Sequence, residues 1–167
     1  RKEIALAEDG GVEWQNAPFI GEIYMGHLRY STTGKHGITY VHPFLRRNNW
    51  KSRNLMLCGN FNITNVDEVF SEIVEEGQHP RIYSDTILLL EQIGKYLDNE
   101  NQRLYRQFKS EGLSGIALTQ KIENHINFTN VIQHPAHTWD GGHVICSPTG
   151  TGDIFLLRDH TGIRPCP

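Results

Sequence analysis

Leu55-Met56-Leu57-Cys58-Gly59-Asn60-Phe61-Asn62-Ile63-Thr64-Asn65-Val66-Asp67-Glu68 is the stretch on which the reading of the fold depends. Its first four residues are an apolar run of strand length, which predicts a buried strand. Gly59-Asn60-Phe61-Asn62 then reads as a polar turn with one large hydrophobe inside it. Asn65 followed by Glu68 is an N-cap signal, and Val66, Val69, Phe70, Ile73 and Val74 recur at helical spacing. A helix ending near Gly77 is therefore expected. The order is buried strand, tight turn, amphipathic helix, with the Asn60 amide presented on the turn.

Upstream, Ile23, Tyr24, Met25 and Leu28 predict a strand over residues 22–30, leading into a polar loop at residues 31–36. Residues 1–18 are polar and aperiodic and read as a surface lead-in. Downstream, Ser84 and Asp85 head a second helix. Its apolar positions, Ile87, Leu88, Leu89, Leu90, Ile93 and Leu97, are too dense for a solvent-facing surface, so it is expected between layers. Residues 102–133 read as helix in pieces with breaks at Gly112 and Gly115, and residues 134–142 as a loop. Residues 143–147 and 154–158 form two strands of a hairpin joined through Thr149-Gly150-Thr151-Gly152. Strands mixed with buried helices predict an α+β domain.

The chain has 167 residues, a net charge of -3, 38% hydrophobic and 21% charged residues, the make-up of one globular domain with a packed core. Basic residues are scattered apart from Arg46-Arg47, which argues against nucleic acid or an anionic membrane and for a small-molecule partner. No apolar run approaches the roughly 18 residues of a spanning helix. Three widely spaced cysteines, Cys58, Cys146 and Cys166, suit neither a disulfide framework nor a metal site, and fit a reducing, cytoplasmic compartment.

Three segments could carry chemistry. Arg29, at the end of the first strand beside Ser31, Thr32 and Thr33, has the planar fork that clamps a carboxylate, although a strand-end salt bridge would use the same residue. Asn60 could donate to a developing oxyanion, or could be a turn former with Asn62. Asp85 could hold an ammonium group, or could cap the free N–H groups of its helix. His134 and His137 have ligand-like spacing but lie in the expected loop with no third ligand, so no metal site is read there. Cys58 and Cys146 sit inside apolar strands as small buried hydrophobes.

Taken in order, Gly26-His27-Leu28-Arg29-Tyr30-Ser31-Thr32, His42-Pro43-Phe44, Leu57 through Asn65, and Ser84-Asp85-Thr86 resemble the class II glutamine amidotransferases. The segment Arg158-Asp159-His160-Thr161-Gly162-Ile163-Arg164-Pro165 is similar to one typical of the amidophosphoribosyltransferase branch. The resemblance implies an N-terminal-nucleophile hydrolase fold, a four-layer αββα sandwich incomplete at both ends. It makes residues 1–167 a partial domain with a lead-in at residues 1–20 and an insertion at residues 112–139.

In that family an N-terminal cysteine attacks the glutamine amide, with its own α-amino group as base; here that cysteine would precede Arg1, leaving this piece inactive alone. By position, Arg29 matches the residue that binds the substrate α-carboxylate and Asp85 the one that binds its α-ammonium. Asn60 matches the oxyanion donor, the residue after it supplies a backbone N–H, and Thr32 and His42 fall at further pocket positions. The family pattern has glycine where this chain has Phe61, and histidine where it has Gly59. Glutamine is the implied ligand. No cofactor is implied for this domain, with Mg and phosphoribosyl pyrophosphate belonging to a phosphoribosyltransferase domain beyond Pro167, and a homo-oligomer is expected. A non-catalytic glutamine-binding or structural domain of the same fold, or an asparagine synthetase, is the alternative.

Overall fold

The structure, a computed structural model, describes residue 21, residues 23–28 and residues 40–166. Its centre is an antiparallel sheet of four strands in sequence order, β1 (Phe44–Arg46), β2 (Leu55–Ile63), β3 (Gly141–Pro148) and β4 (Ile154–Arg158). β1 covers the first part of β2, pairing Phe44 with Leu57 and Arg46 with Leu55. β3 covers the rest, from Cys58 opposite Cys146 to Ile63 opposite Gly141. The expected hairpin is present as β3 and β4, with Val144 opposite Arg158 and Pro148 opposite Ile154.

The expected turn at residues 59–62 is not a turn. β2 runs straight through it, because Asn60 and Asn62 alternate with Phe61 and Ile63 at the strand period of two. The two amides stand on the exposed face of a ladder that β3 holds closed. The strand expected over residues 22–30 is corrected as well: the described part, residues 23–28, has no regular structure, and Leu28 is 98% exposed. Its apolar side chains find no ladder partner among the described residues.

Four helices complete the described chain: α1 (Val66–Glu75), α2 (Asp85–Ser110), α3 (Gly115–Glu123) and α4 (Phe128–Thr138). Asn65 is the N-cap of α1 but makes no capping bond; its amide instead donates to the Thr138 carbonyl at 2.8 Å and accepts from the Asp140 N–H at 2.9 Å, joining the start of α1 to the entry of β3. The dense apolar face of α2 packs as its sequence requires, with Leu88, Leu89, Ile93 and Leu97 buried against Leu55, Leu57 and Ile145 of the sheet, Val69 and Ile73 of α1, and Val131 of α4. A second cluster, Leu104, Phe108, Leu118 and Ile122, joins the far half of α2 to α3. The expected loop at residues 134–142 is mostly helix: α4 continues to Thr138 with Pro135 inside it, because Val131 and Pro135 are buried and hold its last turns on the core.

β1 and α2 are locked by charge. Arg46 forms a two-bond fork on Asp98, at 2.5 and 3.3 Å, and lies 3.7 Å from Glu91. The fork passes directly over Gly94, where any Cβ would collide with the guanidinium. Below it, buried Asn101 accepts from the Ser52 hydroxyl at 2.5 Å and donates to the Leu97 carbonyl at 2.8 Å, fixing the turn between β1 and β2 on the helix. These contacts set the angle at which α2 delivers its first residue, Asp85.

Candidate active site

Ser84 is extended and makes no side-chain cap, and one early N–H of α2, that of Thr86, goes to Asp85 instead. Asp85 Oδ1 accepts from the Thr86 N–H at 2.7 Å, with the Thr86 hydroxyl at 3.3 Å and the Ser84 hydroxyl at 3.5 Å. The preceding residue, Tyr83, donates its hydroxyl to Asp67 of α1, and that bond holds its phenol above the ordinary range.

His42, just before β1, is buried behind this helix start. Its ring lies 4.5 Å from the His27 ring and 5.5 Å from the Phe61 ring, the latter nearly parallel, with the Phe44 ring edge-on at 5.4 Å. Its Nε2 is 3.1 Å from the Thr86 hydroxyl, and its Nδ1 accepts the Gly59 N–H at 3.3 Å. One imidazole therefore bridges the middle of β2 and the head of α2.

Of the residues singled out in the sequence, the structure brings His42, Phe61 and Asp85 together and leaves Asn60 on the other face of β2. Asn60 is exposed, and its amide makes no hydrogen bond to any described residue. Phe61 was expected for its backbone N–H; what the structure adds is its ring, which packs against the core and on His42 while closing over the Cα of Gly59. Arg29 and Thr32 lie outside the described residues. His134 belongs to a helix, stacked on Tyr96 with its Nδ1 3.1 Å from the tyrosine hydroxyl. Among the described residues no three potential metal ligands converge. Cys58 is a buried thiol pushed up by burial and by Cys146 across the ladder, the opposite of an activated nucleophile.

Sequence reasoning missed three residues. Thr86 and His27 carry no local signal for their contacts with His42, which lies 44 and 15 positions away. Asp159 had one: an aspartate followed by Thr161 and Gly162 is a turn-forming pattern. Its buried carboxylate accepts from the N–H groups of His143, Ile163 and Arg164 at 3.3, 2.7 and 3.1 Å and from the Thr161 hydroxyl at 2.8 Å. It organises the whole segment after β4.

Three relatives, all amidophosphoribosyltransferases, match about half of the chain. That of Archaeoglobus fulgidus is 30% identical over 80 residues, 48% of this chain and 17% of its own length. That of Pseudomonas aeruginosa is 31% identical over 91 residues, 54% and 18% of the two lengths, and that of Lacticaseibacillus casei 32% over 76 residues, 46% and 38%. Among solved structures, the glutamine phosphoribosylpyrophosphate amidotransferase of B. subtilis, complexed with ADP and GMP, superimposes with a TM-score of 0.50 at 21% identity, over 83% of this chain and 23% of that one. The chain resembles the class II glutamine amidotransferases over these stretches. No family model matches the chain. The chain spans well under half the length of each of these relatives, and its α+β architecture agrees with the B. subtilis structure. No helix among its described residues is long and apolar enough to cross a membrane.

Proposed function

We propose that this domain is the glutaminase part of an amidophosphoribosyltransferase, releasing ammonia from glutamine for use on phosphoribosyl pyrophosphate by a phosphoribosyltransferase domain of the same parent protein. The observation that carries the reading is Asp85: a carboxylate fixed at the head of a buried helix by Thr86, braced through His42 against β2. In this reading Asp85 receives the α-ammonium of glutamine and Arg29 its α-carboxylate. In this reading the glutamine side chain lies along the exposed face of β2, where the Asn60 amide, without a hydrogen bond among the described residues, donates to the oxyanion.

The nucleophile in this reading is an N-terminal cysteine upstream of Arg1. Its thiolate bonds to the amide carbon, its α-amino group carries the thiol proton to the departing ammonia, and water then cleaves the thioester to glutamate. The glutaminase step needs no cofactor; magnesium belongs with phosphoribosyl pyrophosphate in the acceptor domain. The parent assembles as a homo-oligomer.

The test is made in the full-length protein. Arg29→Ala or Asp85→Asn lowers glutamine-dependent synthesis by about 10²-fold or more, the size of a broken charge pair at a binding site, while ammonia-dependent synthesis survives. Equal loss of both activities overturns the assignment. A second reading, a glutamine-binding domain without hydrolysis, is favoured by one observation: Phe61 fills with an aromatic ring the position where the resemblance calls for glycine. Glutamine binding by the full-length protein with no ammonia released would decide for it.

A further inference from the structure

Among the hydrogen-bonded contacts of the His42 imidazole are Gly59 and Thr86, and the chemistry of Gly59 fixes which ring nitrogen accepts. The Gly59 N–H can only donate, so the Nδ1 that meets it at 3.3 Å is the acceptor, and a neutral ring then carries its proton on Nε2. That Nε2–H points at the Thr86 oxygen at 3.1 Å, which must accept it. With its oxygen accepting, the Thr86 hydroxyl spends its own proton on Asp85 Oδ1 at 3.3 Å. Every bond in the series then runs one way, from the β2 backbone to the carboxylate.

We propose that His42 and Thr86 are positioning residues, a directed hydrogen-bond chain from Gly59 through His42 and Thr86 that aims Asp85 at the ammonium group of its ligand. His42 and Thr86 are 8% and 2% exposed, so water does not compete for these bonds. The ring cannot swivel, because His27 and Phe61 cover its faces and Phe44 its edge. This gives Phe61 a task that glycine cannot perform. Its ring holds His42 in the plane that reaches both Gly59 and Thr86. The Thr86 N–H and hydroxyl both fall on Oδ1, so the chain fixes one carboxylate oxygen. No bond among the described residues involves Oδ2.

The proposal rests on Asp85 as the ammonium acceptor, and two measurements separate the two claims. Nitrogen-15 NMR of the unsubstituted chain reads the His42 tautomer directly; a proton on Nε2 is expected, and a proton on Nδ1 overturns the chain whatever the ligand. Affinities are then measured in the full-length protein for L-glutamine and for 4-carbamoylbutanoate, which is glutamine without its α-amino group. Thr86→Val lowers the preference for glutamine about tenfold, the effect of one hydrogen bond to a charged group, and Thr86→Ser restores it. A preference unchanged in Thr86→Val overturns the positioning role and leaves the Asp85 reading standing. No preference in the unsubstituted protein overturns the Asp85 reading, and the tautomer measurement still decides the bond series.

Discussion

The Asp159 carboxylate sits at the end of β4 with three backbone N–H groups and one hydroxyl aimed at it. Burial alone would push its pKa up, but the Arg164 and Ile163 N–H groups, with the Thr161 hydroxyl and the His143 N–H, bring it well below the usual carboxylate range. The folded state therefore binds this proton less readily than the unfolded chain. Its stabilisation is fully present above the unfolded value, about 3.9, and is lost as pH falls from there toward the folded value. Asp159→Asn should lower the melting temperature at neutral pH, and the gap from the unsubstituted chain should shrink as the buffer is taken below about pH 4. A gap independent of pH would mean that the carboxylate charge is not what organises residues 159–165.

At the scale of the element, α2 and its contacts show what a sequence reveals and what it hides. The helix was legible because Leu88, Leu89, Ile93 and Leu97 make a dense apolar face, a property of neighbouring residues. The hairpin of β3 and β4 was legible for the same reason, through apolar runs separated by glycines. β2 beyond Cys58 was misread because Gly and Asn are turn residues, and only pairing with residues 141–146, some eighty positions away, makes them strand. Thr86 and His42 meet across 44 positions, a contact for which no local pattern exists. Asp85 was singled out through resemblance, but the bonds that hold its carboxylate could not be read from the sequence.

Gly94 in α2 provides a test at this scale. On helix propensity alone, Gly94→Ala should stabilise by about 1 kcal/mol. Here the new methyl would meet the Arg46 side chain and displace its fork from Asp98, so the chain is expected to lose about 1–3 kcal/mol, as overpacked sites do. The urea midpoint measures it, and a midpoint at or above that of the unsubstituted chain would show that Arg46 yields freely.

At the scale of the molecule, the apolar interior of the described residues falls into two clusters, one between the sheet and the first half of α2, the other between its second half and α3. Residues 112–139 hold α3 and α4, which pack along the two halves of α2. Ile122→Ala, fully buried in the second cluster, should cost about 2–4 kcal/mol, with hydrogen exchange accelerating in α3 more than in β2 and β3. Equal acceleration throughout would show that the clusters open as one.

The 26-residue length of α2 bears on what its first residue confronts. A helix of several turns presents roughly half a positive elementary charge at its start, a field that repels ammonium and attracts anions. Asp85 must first reverse that field before any cation can settle beside it. On the proposed function, removing its charge with Asp85→Asn exchanges a cation site for a weak anion site. Titration with sulfate should then compete with what remains of glutamine binding in the variant and leave the unsubstituted protein unaffected. The selectivity of this corner of the domain is, in that sense, a contest of sign between one side chain and the helix that carries it.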